Sequence, residues 1–97
     1  MPTYNAIGYE SLAISTTAVG LTKPTGAKAF VGTLETAAVR VRSDGTDPTA
    51  SEGQLILVAD SVILSDSEID TAAFIRDGAS DGVLKGHYYS IEASTFF

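Results

Sequence analysis

In LETAAVRVRSDGTDPTASEGQLILV, residues 34–58, two alternating segments flank a loop dense in Gly, Pro, Ser and Thr. Arg40 and Arg42 alternate with Val39 and Val41, so one face of this segment is set for burial and the other for water. The loop, residues 43–53, holds Asp44-Gly45 and Asp47-Pro48, both strong turn signals. Its length exceeds a tight hairpin, which marks an exposed connection suited to contact. The run predicts a β-sheet module and carries no pattern of a reaction centre.

Outward from there the same grammar repeats. Residues 9–17 read as a strand, with Leu12 and Ile14 two apart among Ser and Ala. Residues 1–8 show no sustained period and read as an N-terminal arm or short edge strand. Residues 22–26 (TKPTG) form a turn, and residues 28–36 a strand that Gly32 weakens or bulges. Residues 54–59 and 61–64 read as two short strands paired across a tight turn at Asp60-Ser61. Ser65 followed three residues later by Glu68 fits a capping box, so one helical turn is expected there. Residues 72–76 and 83–91 close the series, separated by a Gly-rich turn over 77–82. Six to eight short strands divided by turns predict an all-β fold: a small antiparallel β-sandwich or a jelly-roll-like barrel. The expected partition is an arm (1–8), a β-sandwich domain (9–91) and a C-terminal tail (92–97).

Ninety-seven residues make one domain. A chain of this size buries roughly 60–70% of its unfolded surface, enough for one modest core. There is no cysteine, so stability rests on packing and on assembly. The net charge of −6 argues against a nucleic-acid partner. The first ten residues lack the charged and apolar regions of a signal peptide, and no apolar run approaches a membrane span of ~20 residues.

Few residues invite chemistry. His87 is the only histidine, and one imidazole without cysteine cannot build a zinc site within one copy. It reads as a strand residue beside Tyr88 and Tyr89, with a shared site on a trimer axis as the sharper alternative. Asp66, Glu68 and Asp70 are spaced like the start of a calcium loop, but Thr71 and Asp77 stand where glycine and glutamate are required. A solvated, capped turn is the plainer reading. Asp44 and Asp47 suit Asx-turns better than a cation site. No nucleophile elbow serves His87, nothing nominates a carboxylate pair, and no glycine loop ends in Gly-Lys-Ser/Thr. No catalytic residue, cofactor or metal is expected.

Contact residues are easier to nominate. Arg40 and Arg42 lie on a wet strand face, set either for local neutralisation or for an acidic partner. Phe96 and Phe97, at the end of the sequence, each gain roughly 1.5–3 kcal/mol from burial. They pack on their own domain or anchor in a neighbour. Tyr4 and Tyr9 join them as candidate contacts.

Four motifs then fall in a suggestive order: Ala18-Val19-Gly20-Leu21-Thr22, Val39-Arg40-Val41-Arg42, Asp44-Gly45-Thr46-Asp47-Pro48-Thr49 and Ile75-Arg76-Asp77-Gly78. In order and spacing, across roughly residues 9 to 89, the chain resembles a group of short bacteriophage virion structural proteins. The resemblance implies a β-sandwich without enzymatic activity, located on the capsid exterior. The role it favours is a head decoration (cement) protein, homotrimeric, partnered by the major capsid protein and by neither nucleic acid nor membrane. The alternative is a neck, tail or baseplate component, including a receptor- or carbohydrate-binding module. Residues 90–97 run past the aromatic end of that pattern.

Overall fold

The computed structural model describes residues 3–92. In chain order it contains β1 (Thr3–Ile14), β2 (Val19–Gly20), β3 (Ala29–Glu35), β4 (Val39–Arg42), β5 (Gln54–Ile56), β6 (Ser61–Ser65), α1 (Asp66–Thr71), β7 (Ala73–Arg76) and β8 (Gly82–Glu92). The strands form two four-stranded sheets, β1-β8-β3-β6 and β2-β7-β4-β5, with every pairing antiparallel. The all-β, sandwich-like class expected from the alternation is what the chain adopts.

Alternation places the core. In β3 and β4 every second side chain is buried, Phe30 and Leu34 from one, Val39 and Val41 from the other. Ile14, Leu84, Tyr88, Val62 and Leu64 add to the first sheet's inner face, and Ile56 and Phe74 to the second's. Ile69 of α1 packs into the same cluster. The capping box is present: the Ser65 backbone N–H donates to Glu68 Oε1 at 2.9 Å.

Gly32 does not produce a bulge. The register of β3 runs unbroken through it, against Val62 on one side and Gly86 on the other. A Cβ on Gly32 would lie 2.7 Å from Phe30 Cε2, and one on Gly86 would lie 2.6 Å from Phe30 Cζ. The Phe30 ring therefore lies across the paired glycines, and Tyr88 packs on it with centroids 5.1 Å apart. The glycines make room for an aromatic layer that two strands of larger residues would exclude. The bulge falls in β1 instead, between Ala6 and Gly8.

Two expectations need correction. Residues 54–59 and 61–64 do not pair: β5 edges the second sheet and β6 edges the first. The segment between them is a crossover, held by Leu57 N–H donating to Asp60 Oδ2 at 2.9 Å and Ala59 N–H to Leu34 O at 2.8 Å. The strand read over 9–17 instead spans Thr3–Ile14, because β8 offers a partner along that whole length. Residues 3–8, read as an arm or short edge strand, form the first half of this edge strand. Val19–Gly20 form a two-residue strand on β7, too short to announce itself by period.

Candidate functional site

The two sheets present unlike outer faces. On the first, the outward positions of β1, β8, β3 and β6 follow from their register with buried neighbours. They include Tyr4 opposite Ile91, Tyr9 opposite His87, Ala29 opposite Tyr89, and Val31 between His87 and Ile63. Tyr4 is 61% exposed, Tyr9 57% and Ile63 70%. The rings are arranged, not scattered: Tyr9 meets His87 edge-on at 5.1 Å, and His87 lies 6.4 Å from Tyr89. Tyr4, Ala29, Val31, Ile63 and Tyr89 line a shallow concavity of about 340 Å³.

Charge is nearly missing from this face. Its charged side chains among the described residues are Lys85 and Glu35, paired at 3.3 Å at the end remote from Tyr4. None of the residues lining the concavity carries a carboxylate, in a chain that carries twelve. An apolar, aromatic, charge-depleted patch has the composition of an interface core.

The second sheet's outer face is mixed: Arg40 and Arg42, each ion-paired, lie opposite apolar Leu55, Ile75 and Ala73. Arg40 Nε donates to Asp77 Oδ1 at 2.7 Å and to Ala50 O at 3.1 Å, and Nη1 donates to Gly53 O at 3.0 Å. Its guanidinium therefore fastens the 43–53 loop to the sheet. Arg42 Nη2 pairs with Asp44 Oδ2 at 2.5 Å. That guanidinium holds the Asp44 carboxyl at about 2, well below the ordinary 3.8. Asp44 Oδ1 also accepts from Thr46 N–H at 3.3 Å, the Asx-turn expected of this loop.

The nominated contact residues thus divide. Tyr4 and Tyr9 share the sparsely charged face, while Arg40 and Arg42 lie on the opposite sheet and are engaged within the molecule. Phe96 and Phe97 lie outside the described residues. Val31, Ile63, Tyr89 and Ile91 were not nominated. Their signal was present in Ala29-Phe30-Val31, Val62-Ile63-Leu64 and Tyr88-Tyr89, where apolar residues fill consecutive positions. Such runs mark strands apolar on both faces.

The acidic turn has a structural occupation. Lys23 Nζ lies 2.8 Å from both Asp66 and Asp70, and Lys28 Nζ lies 3.3 Å from Asp66. These ammonium groups lower the Asp66 carboxyl, and Asp66 and then Asp70 raise Lys23. Among the described residues no group of three or more His, Asp or Glu is placed to hold a metal ion. At the same end of the sandwich the Tyr88 hydroxyl donates to Glu10, which also accepts from Thr22 N–H at 3.0 Å. Burial, and then Glu10, push the Tyr88 phenol far above its ordinary value, so it stays a donor. A second cleft of about 260 Å³ opens between the edges of β5 and β6, lined by Gln54, Ser61, Glu68 and their neighbours.

The fold and face define a β-sandwich-like protein with one aromatic, sparsely charged sheet face. Compared with protein-family models, with curated proteins and with solved structures, the chain matches none.

Proposed function

We propose that the chain is a non-enzymatic structural subunit of a bacteriophage virion, a decoration protein that binds the assembled major capsid protein lattice. The observation that supports this reading is the outer face of the first sheet, with its apolar concavity lined by Tyr4, Val31, Ile63 and Tyr89. A protein of net charge −6 that gathers exposed aromatic side chains on one sheet face is built to be covered there. A subunit that binds the assembled shell and not its free parts stabilises the shell by mass action. Repetition over a symmetric lattice turns modest contacts into a firm hold.

Quantitative mass spectrometry of purified virions tests the reading by comparing this protein with the major capsid protein. A ratio near one to one is expected. A small fixed number of copies per particle would move the protein to the neck, tail or baseplate. Absence from the particle would overturn the virion reading altogether.

A further inference from the structure

The arginines of this chain follow its Asp-Gly steps one for one. Asp44-Gly45, Asp77-Gly78 and Asp81-Gly82 are the three such steps, and Arg40, Arg42 and Arg76 are the three arginines. Arg42 Nη2 pairs with Asp44 Oδ2 at 2.5 Å, Arg40 Nε with Asp77 Oδ1 at 2.7 Å, and Arg76 Nη1 with Asp81 Oδ1 at 2.8 Å. Among the described residues no arginine forms an ion pair with any other acid. Asp66 and Asp70 take Lys23 instead, and Asp60 accepts from the Leu57 N–H.

Asp-Gly is the dipeptide most open to isomerisation. The glycine nitrogen attacks the aspartate Cγ: an N–Cγ bond forms, a Cγ–Oδ bond breaks, and the hydroxyl leaves as water with the amide proton. Water then opens the resulting succinimide at its main-chain carbonyl. The backbone now runs through Cγ as isoaspartate, with a free α-carboxylate. Glycine permits the attack because no Cβ hinders its nitrogen or restricts its φ. The reacting form is the neutral acid, turned so that Cγ meets that nitrogen. A guanidinium opposes both conditions, since it favours the carboxylate and fixes its oxygens.

The rest of the fold does not hold the three steps equally. Gly82 opens β8 opposite Ile14, and a Cβ there would lie 2.6 Å from Val39 Cγ1, so packing fixes that backbone. Asp77 N–H donates to Ala38 O at 3.1 Å, which ties the second step to the residue before β4. Asp44-Gly45 belongs to the 43–53 loop, where Gly45 has a φ of 86° and nothing within 4 Å of where a Cβ would stand. The Asp44 carboxylate is held by Arg42 through both oxygens, with Nε 3.1 Å from Oδ1, and by Thr46 N–H at 3.3 Å. Glu52 is the other charged group near that guanidinium.

We propose that the arginines guard the Asp-Gly steps against succinimide formation, and that Asp44 is the modification site that depends most on its guard. Isomerisation at Asp44 would lengthen the backbone of the loop joining β4 to β5 by a methylene. It would also move the carboxylate that Arg42 grips.

Isoaspartate accumulation in the full 97-residue chain at neutral pH is the test. Peptide mapping by electron-transfer mass spectrometry reads each site in the wild type, Arg42→Ala and Arg76→Ala, with urea-unfolded wild type as the unguarded reference. The folded wild type is expected to accumulate far less at residue 44 than the unfolded chain. Arg42→Ala is expected to accelerate residue 44 by roughly tenfold, as a tenfold larger neutral fraction of the carboxyl would give. Residues 77 and 81 should not change in that variant, and Arg76→Ala should accelerate residue 81 far less. The pH dependence separates control of the carboxyl from tethering of the loop. Below the ordinary 3.8 the freed carboxyl of the variant is already mostly neutral while that of the wild type is still gaining protons, so the ratio of rates should narrow. Arg42→Gln replaces Arg42→Ala if the latter fails to fold by circular dichroism. A variant no faster than the wild type at residue 44 would sink the proposal, as would a folded wild type as fast as the unfolded chain. Equal acceleration at all three sites would mean general loosening, and a ratio indifferent to pH would mean a tether alone; either overturns it.

Discussion

The first sheet and the second carry equal numbers of strands, yet they are finished differently. The first turns tyrosines, valine and isoleucine to the outside; the second turns arginines outward beside Leu55 and Ile75 and neutralises each arginine with an aspartate of its own chain. A satisfied ion-paired face needs nothing further, since its charges have partners and its edges have water. An unsatisfied apolar face is a standing free-energy gain for whatever covers it. The contrast teaches that one outer face is largely satisfied by contacts within the molecule while the other leaves apolar rings exposed.

The comparison breaks most completely if the first sheet loses its inner aromatic layer. Phe30→Ala removes a fully buried ring from across Gly32 and Gly86, at a cost of about 3–5 kcal/mol. Urea unfolding followed by far-UV circular dichroism should show the midpoint fall accordingly, and the outer face should vanish with the fold. A loss below about 1 kcal/mol would mean that the layer is not packed as described.

A milder break strikes the second sheet alone. Arg40→Ala strands Asp77 and the Ala50 and Gly53 carbonyls, with an expected loss of about 1–2 kcal/mol. Hydrogen exchange should accelerate in residues 43–53 while capsid binding stays at the wild-type level. The opposite face gives the converse. Ile63→Asp should change unfolding free energy by no more than about 0.5 kcal/mol, because the side chain is 70% exposed, while capsid binding is lost. If both variants affected capsid binding equally, the division between the faces would fall.

The corner that joins the sheets offers a gain. Ala59 holds a φ of 76° in the crossover from β5 to β6, a conformation that costs alanine more than glycine. Ala59→Gly should raise stability by about 0.5–1 kcal/mol in the same urea experiment.

The smallest effect sharpens the ionic face. Arg42 depresses the Asp44 carboxyl to about 2 from an ordinary 3.8. A carboxylate held low in the folded state adds stability above its ordinary value and loses it as pH falls through the folded one. The 43–53 loop should therefore loosen as pH drops from near 3.8 towards 2. Carboxyl-carbon NMR should place Asp44 near the lower value, and Arg42→Ala should return it towards the upper.

Much of this molecule was legible in short windows. The alternation in Val39-Arg40-Val41-Arg42 announced which side chains would be buried, and β4 and β5 pair across the loop that Asp-Gly and Asp-Pro marked. Ser65 and Glu68 announced the helical turn through a contact three residues apart. The candidate face was half legible: Tyr4 and Tyr9 stood out as tyrosines, whereas Val31 and Ile63 looked like core. An apolar side chain at a two-faced strand does not say which layer it will meet.

Local chemistry, then, settled strand content, turn positions, the helix cap and the excess of negative charge, because each depends on neighbours a few residues away. Pairing did not follow from it. Apart from β4 with β5, consecutive strands do not lie side by side; β1 pairs with β8 across nearly the whole chain, and β5 and β6 part to different sheets. Such partnerships are chosen by which combination of faces fills one core, with Phe30 over its glycines and Tyr88 beside it. The same choice fixed which apolar residues remained outside, and so where the molecule has a face left to cover.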